Sequence, residues 1–360
     1  MARVLVTGGA GYIGSHACKA LAAAGHEPIV YDNLVYGHAD NVKWGPFEEG
    51  DIRDADRLDM VFARHKPDLV MHFAAFAYVG ESMVEPAKYY VTNVGGSINL
   101  LEAMRRAGCD KIIFSSTCAT YGEPEQLPIT EATPQMPVNP YGMTKLTIER
   151  AMQDYAAAYG LCWVAFRYFN AAGCDPDGEL GERHDPETHI IPLAIEAALD
   201  DAGKRRFRVM GTDYPTPDGT CLRDYIHVSD LADAHVRGID YLQGGGCNTA
   251  FNLATGTPTS VQQIVNAVER ATGRAVPTDY GTRRAGDPAA LFAMSDMARE
   301  VLGWKPHYTD INETIATAAR WFAGRNLQPS AAPSSATPMP NAPVGSQDEM
   351  RSAGTKETVR

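Results

Sequence analysis

Near the amino terminus an apolar run, Arg3–Thr7, breaks directly into Gly8-Gly9-Ala10-Gly11-Tyr12-Ile13-Gly14, with glycines three residues apart at 8, 11 and 14. No other segment restricts the possible folds so strongly. A strand ending here must turn sharply, open its backbone to a ligand and start a helix packed close against itself. Each demand favours a residue without Cβ, and the helix amino terminus adds N–H donors and the positive end of its dipole. This arrangement cradles the pyrophosphate of a dinucleotide. Spaced glycines alone mark many turns, so the surrounding pattern has to support the reading.

Up to residue 170 short apolar runs, at 3–7, 28–31, 68–72, 111–115 and 161–167, alternate with helical patterns at 12–24, 54–65, 86–107 and 140–159. The runs are continuous rather than alternating, as expected for parallel strands covered on both faces. The expected fold class is α/β, a Rossmann-type doubly wound parallel sheet with a smaller mixed α/β substrate lobe. Residues 1–170 form the first domain in this reading. From 171 to 326, Pro- and Gly-rich loops separate shorter elements, with helices predicted near 192–200, 261–272 and 312–323 and a segment at 207–210. Residues 327–360 are rich in Pro, Ala and Ser and are expected to be a disordered tail.

Composition excludes other classes. With 44% hydrophobic and 21% charged residues among 360, the chain can bury a sizeable core. A formal charge of −12 argues against a nucleic-acid partner, which needs clustered Lys and Arg. No uncharged apolar window reaches the roughly 18 residues of a membrane span, and the first residues lack a leader pattern. A cytoplasmic enzyme is the expectation. The seven cysteines are scattered, with no C-x-x-C pair, which suits free thiols in a reducing compartment. Neither a disulfide framework nor a metal site is expected.

Tyr141-Gly-Met-Thr-Lys145 places a phenol and an ammonium one turn apart on one helix face. A tyrosine pKa of about 10 is too high for a base at neutral pH, and a nearby cation favours the phenolate. The spacing recurs by chance in many helices. Here, however, it follows a strand running into Ser115-Ser116-Thr117, which puts the Thr117 hydroxyl beside the ligand crevice of a parallel sheet. Asp32 closes the second strand, where a carboxylate accepts both ribose hydroxyls of NAD and repels the 2′-phosphate of NADP. Asp51, in Gly50-Asp51-Ile52-Arg53, either faces an adenine amino group or caps the next helix.

With these residues in place the chain resembles the extended short-chain dehydrogenase/reductases and, within them, the UDP-glucose 4-epimerase family. The likeness rests on Gly8–Gly14, Tyr31-Asp32-Asn33-Leu34, Glu49–Arg53, His72-Phe73-Ala74-Ala75, Val79–Ser82, Tyr141–Lys145, Arg167–Asn170, Gly219-Thr220 and Arg223–Val228. It implies a resident NAD and a UDP-sugar substrate. Tyr141 takes the proton of sugar O4 while hydride leaves C4; the 4-keto sugar turns over and accepts hydride on its other face. Thr117 orients the oxygen, and Lys145 holds the nicotinamide ribose and tunes Tyr141. Cofactor contacts carry over to Gly8, Gly11, Tyr12, Ile13, Gly14, Asp32, Asn33, Asp51, Ile52, Phe73, Ala74, Ala75, Asn93, Tyr141, Lys145 and Phe169. Substrate contacts carry over to Thr117, Tyr141, Asn170, Arg223, Arg284 and Asp287, and residues 171–326 become the UDP-sugar lobe. The resemblance also implies a homodimer joined by a four-helix bundle from helices 86–107 and 140–159.

Two departures leave the sugar open. Ala77 stands where the bacterial galactose-pathway form has a lysine, and Leu291 where that form has a tyrosine. Phe76-Ala77-Tyr78-Val79 and Ser116–Thr120 look closer to exopolysaccharide-type epimerases and UDP-arabinose 4-epimerases. Cys118-Ala119 replaces the Asp-Glu that a 4,6-dehydratase places beside its threonine, which disfavours that reaction. A non-catalytic NAD-binding regulator would be expected to have lost part of the Thr117, Tyr141, Lys145 set.

Overall fold

A computed structural model describes residues 1–283 and 288–326. Arg284, Asp287 and the 327–360 tail, expected respectively to bind substrate and to be disordered, lie outside the described residues. The strands are β1 (Arg3–Thr7), β2 (Glu27–Asp32), β3 (Phe47–Glu49), β4 (Leu69–His72), β5 (Lys111–Thr117), β6 (Cys162–Tyr168), β7 (Asn170–Ala172), β8 (Phe207–Met210), β9 (Leu222–His227) and β10 (Thr249–Leu253). They are followed by β11 (Pro258–Ser260), β12 (Thr278–Gly281) and β13 (Ala290–Leu291). Seven of them form a parallel sheet in the order β10-β6-β5-β4-β1-β2-β3.

Alternate residues of each central strand feed two different cores. Val4, Val6, Met71, Ile113, Val164 and Phe166 point to one face. Leu5, Val70, Ile112, Phe114, Trp163 and Ala165 point to the other. Both faces are apolar, which explains the continuous hydrophobic runs. Helix α1 (Tyr12–Ala23) covers the first face, and α2 (Ala55–His65) packs on the second.

The helix expected over 86–107 is interrupted. After a short α3 (Val79–Val84), α4 (Pro86–Tyr89) opens into a wide π turn over Tyr90–Gly95 and resumes as α5 (Gly96–Ala107). Gly95 and Gly96 weaken the regular helix at that point. A Cβ on Gly96 would meet Ile52 at 2.5 Å, so the close approach itself requires glycine. The next helix, α6, spans Pro140–Tyr159 as expected, with Asn139 accepting from Gly142 N–H at 2.8 Å as its cap.

The sheet does not end at residue 170, where the sequence reading drew its boundary. After α7 (Ile190–Leu199), the helix α8 (Val228–Gln243) packs against α1, and β10 adds the seventh strand beside β6. Both come from the segment assigned to the second lobe. The remaining elements, including α9 (Val261–Thr272), α10 (Asp296–Leu302) and α11 (Ile311–Asn326), extend the fold. A separate core of Ile191, Ile195, Ile264, Val268, Ile315 and Phe322 joins α7, α9 and α11. Small sheets, β11-β9-β13 with β7 on β9, and β8 with β12, complete this lobe.

The same β10–β6 pairing corrects the expectation of seven free thiols. Cys162 and Cys247 form a disulfide with their Cα atoms 4.9 Å apart, across a sequence separation of 85. Only the unanticipated strand β10 brings them together, so no local cysteine spacing signals the bond. The other five are free, and among the described residues no helix is long and apolar enough to cross a membrane.

Candidate active site

Strand order reverses between β1 and β4, which run side by side while their continuations diverge to opposite edges. Ligands of such sheets bind at that point, outside the carboxyl ends of the strands. The glycine turn sits there. Gly8 takes φ +74°, and a Cβ on it would meet Ala74 N at 2.6 Å; a Cβ on Gly14 would meet Gly8 O at 2.2 Å. Phe73 and Ala74 donate their N–H groups to Thr7 O at 2.9 and 3.1 Å, holding the β4 loop against the turn. Gly11 caps α1 with no side-chain bond, and the first turn holds no acidic residue. The opening N–H groups of α1 are thus uncapped by any side chain, and Gly11 has only one close neighbour, Gly8 O at 3.3 Å from an added Cβ.

Asp32 ends β2 with a buried carboxylate that accepts from Ala10 N–H at 3.0 Å and Leu34 N–H at 2.8 Å. Burial raises its pKa, and these donors hold the rise back. Asn33 donates to Asp51 at 2.8 Å, and Arg53 clasps Asp51 through its backbone and guanidinium, which brings that carboxyl down to about 2. Asp51 is not the helix cap. That role belongs to Asp54, which accepts from Arg57 N–H at 3.0 Å. Ile52 is buried beneath α5.

The amino end of α6 meets the carboxyl end of β5. Gly142 permits the approach, because a Cβ there would meet Ala119 O at 2.5 Å. The Thr117 hydroxyl accepts from Ala119 N–H at 3.1 Å and lies near enough to the Tyr141 phenol to hold its pKa down. Lys145 is 2% exposed, donates to Ser115 O at 2.7 Å, and stands 6.0 Å from the centre of the Tyr141 ring. Burial drives the phenol pKa up, with Tyr168 adding to the rise and Thr117 opposing it. Burial also lowers the Lys145 ammonium to about 7, against the pull of Glu149. The three residues that sequence patterning singled out therefore converge.

Several neighbours escaped the sequence reading. Glu149, one turn beyond Lys145, is 1% exposed and accepts from Arg167 at 2.6 and 3.0 Å, Ser116 Oγ at 2.5 Å and Gln135 at 3.0 Å. Its i+4 spacing from Lys145 was the available signal. Tyr168 hydrogen-bonds Ser115. Asn93, fully buried on the π turn, accepts from Phe76 N–H at 2.8 Å and donates to Phe76 O at 3.0 Å and Thr144 Oγ1 at 3.2 Å. Its side chain thus ties the β4 loop, carrying Ala75, to α6.

The substrate-lobe residues gather on β7 and β9. Asn170 donates to Asp224 O at 2.9 Å, and the Arg223 guanidinium donates to Leu222 O at 2.7 Å and Pro288 O at 2.9 Å. Register pairs Arg223 with Leu291 across β9 and β13. Leu291 and Cys118 pack with Phe169, Tyr121 and Ile129 in a small apolar cluster, so Phe169 belongs to a core at the strand end. Tyr12, at the start of α1, donates its hydroxyl to Gly173 O at 2.5 Å and so joins the glycine turn to this lobe.

Similarity to known proteins agrees with this geometry. Residues 4–254 match the model of the NAD dependent epimerase/dehydratase family. The UDP-glucose 4-epimerase of Rhizobium meliloti (strain 1021) is 55% identical over 324 residues, covering 90% of this chain and 98% of that protein. A solved UDP-glucose 4-epimerase from Brucella ovis in complex with NAD superposes with a TM-score of 0.87 at 55% identity, covering 89% and 98% of the two chains. That from Bifidobacterium longum, in complex with NAD+ and UDP, gives 0.85 at 37% identity, covering 90% and 99%. Matched by the family model over residues 4–254 and similar to these relatives along about nine-tenths of its length, the chain belongs to the NAD dependent epimerase/dehydratase family.

Proposed function

We propose that this protein epimerises UDP-glucose and UDP-galactose at sugar C4 in an NAD-dependent cycle, with Tyr141 as the base. The observation that carries the reading is the meeting of Thr117, Tyr141 and buried Lys145 at the end of β5, beside the switch point. The residues suit NAD. The uncapped first turn of α1 offers N–H donors to a pyrophosphate, with Gly8, Gly11, Tyr12, Ile13 and Gly14 around it. Asp32, Asn33, Asp51 and Ile52 would hold the adenosine half, and Phe73, Ala74, Ala75 and Lys145 the nicotinamide half. Asn93 would act through the Phe76 loop it holds, and Phe169 would meet the cofactor from the apolar cluster beyond β6.

When bound, NAD would supply the hydride acceptor and donor of the cycle. The chain supplies the rest. Tyr141 removes and returns the O4 proton, Thr117 hydrogen-bonds the same oxygen, and Lys145 stabilises the phenolate. Asn170 and Arg223, with Arg284 and Asp287, hold the UDP diphosphate and ribose. Two placed arginines meet an anionic substrate that the overall charge of −12 would not attract. The protein acts as a homodimer, a reading supported by exposed Met83, Val84, Tyr90, Val91 and Met143 around α3, the π turn and α6. Light scattering of the purified protein tests the dimer.

The decisive assay gives purified protein UDP-galactose and no added nucleotide, and follows UDP-glucose by anion-exchange chromatography. Conversion is expected. A requirement for stoichiometric external NAD, with NADH as product, would instead mark a dehydrogenase. A panel of UDP-hexoses, N-acetylated hexosamines and UDP-pentoses then fixes the sugar.

A further inference from the structure

We propose that Glu182, His184, Glu187 and His189 form a binding site for a divalent metal ion of the zinc class. The four lie on the segment between β7 and α7, and each offers one ligand atom within 4.8 Å of all the others. The Nδ1 of His184 is 3.4 Å from Glu182 Oε1 and 3.4 Å from Glu187 Oε2. That of His189 is 3.1 Å from Glu182 Oε1 and 2.8 Å from Glu187 Oε1. Zinc bonds of 2.0–2.2 Å set tetrahedral ligand atoms about 3.3–3.5 Å apart. The four nitrogen–oxygen separations, 2.8–3.4 Å, lie at or just below that spacing, so these side chains are close enough to converge on one four-coordinate ion.

The donor set narrows the ion. Two imidazole nitrogens and two carboxylate oxygens suit zinc or cobalt, whereas calcium and magnesium take oxygen ligands. Among the described residues, the only ion-pair partners of Glu182 and Glu187 are these two histidines; no lysine or arginine neutralises them. The contrast lies nearby. Asp175, Asp177 and Glu179 also cluster, but Lys19 fills their centre at 2.8, 2.8 and 2.7 Å, which leaves no role for a cation there.

The site is also held from outside. Arg183 is fixed to Asp40 at 2.6 and 2.9 Å and to Asn41 at 2.7 Å, and Tyr78 donates to Pro186 O at 3.2 Å. Glu187 Oε1 accepts from Thr188 and His189 N–H at 2.7 and 2.8 Å, which orients the carboxylate and leaves Oε2 toward His184. Such outer bonds preset metal ligands. Side-chain exposures of 4%, 16% and 9% for Glu182, His184 and Glu187 give a sheltered site, entered past His189 at 43%. An ion there would pin the segment against Tyr12 and Tyr78, whose rings lie 6.2 Å from that of His184.

Untagged protein, stripped with a chelator and desalted, is titrated with cobalt(II) chloride. The expected result is uptake of about one ion per chain, with the intense visible band of four-coordinate cobalt, bleached by zinc. Asp177→Asn retains the band; His184→Ala with His189→Ala loses it. If that double variant does not fold, Glu182→Gln is read the same way, as at least a tenfold weaker uptake. Wild-type protein that takes up no cobalt, or variants that bind it unchanged, would overturn the site.

Discussion

Lys145 shares a face of α6 with Tyr141, yet its nitrogen stands 6.0 Å from the centre of the tyrosine ring and bonds Ser115 O instead. The pair is electrically quiet. Burial holds the proton on the phenol and lowers the ammonium to about 7, so neither group is fully charged at neutral pH. A buried base of this kind works only when positive charge is brought beside it, which the oxidised nicotinamide of NAD would add to that of Lys145 on binding. Removing the phenol oxygen tests this. Tyr141→Phe should lower kcat by about 10²–10⁴-fold, the range for general acid–base groups, and leave NAD bound. Retained turnover in a coupled assay would reassign the base.

Lys145 should be a stability liability kept for function. Its folded pKa of about 7 lies below the ordinary 10.5, so between these values the unfolded chain binds a proton that the folded chain does not. Stability therefore rises with pH across that window, and the cost is complete below pH 7. Lys145→Met should raise the cofactor-free protein's unfolding free energy at pH 6 by up to a few kcal/mol and flatten the alkaline rise, while kcat falls. Urea titrations at pH 6 and pH 9 decide it; a destabilised variant at pH 6 would refute the account.

The glycine turn separates two roles that one motif conceals. A Cβ on Gly14 would meet Gly8 O at 2.2 Å, whereas one on Gly11 would meet nothing nearer than 3.3 Å. Gly14→Ala should thus cost several kcal/mol of apo stability, through overpacking against backbone. Gly11→Ala should leave apo melting within about 0.5–1 kcal/mol of wild type and weaken NAD retention. Equal melting losses in the two variants would contradict this division.

That division also shows what a sequence discloses. Gly8–Gly14, Asp32 and the Tyr141–Lys145 spacing were legible because each answers a local demand: a turn, a strand end, a helix face. Helix α6 even keeps its expected ends, since Asn139, Pro140 and Gly160 punctuate it. Strand β10 and helix α8 were not legible, because they join the first sheet only through contacts from the far half of the chain. The π turn was hidden as well; Gly95 and Gly96 stand at its end, but the demand for glycine at 96 comes from Ile52, on a distant segment, lying where a Cβ would stand. The Glu149–Arg167 pair stayed invisible for the same reason.

That pair carries its own prediction. Glu149 and Arg167 are both nearly excluded from water, and Arg167 also donates to Tyr121 OH at 3.0 Å. Removing one partner of a buried ion pair strands the other, at a cost of about 3–5 kcal/mol. Glu149→Ala should lose that much stability and, through Ser116, disorder the end of β5. Chemical denaturation measures the first effect. A loss under about 1 kcal/mol would mean that water reaches Arg167 freely.

The disulfide makes the last prediction, and it concerns stability rather than catalysis. Cys162 opens β6, Cys247 precedes β10, and their bond closes a long segment that includes β7, β9 and α8. A cross-link over 85 residues restricts the unfolded chain strongly, so its loss should cost about 2–4 kcal/mol. Denatured protein, alkylated without reductant, should be modified at the five free cysteines; after reduction, at all seven. Reductant should lower the thermal midpoint without lowering kcat, because neither cysteine is among the residues around Thr117 and Tyr141. Seven modified cysteines without reductant would mean that β10 is held by its backbone ladder to β6 alone, and the midpoint should then ignore reductant altogether.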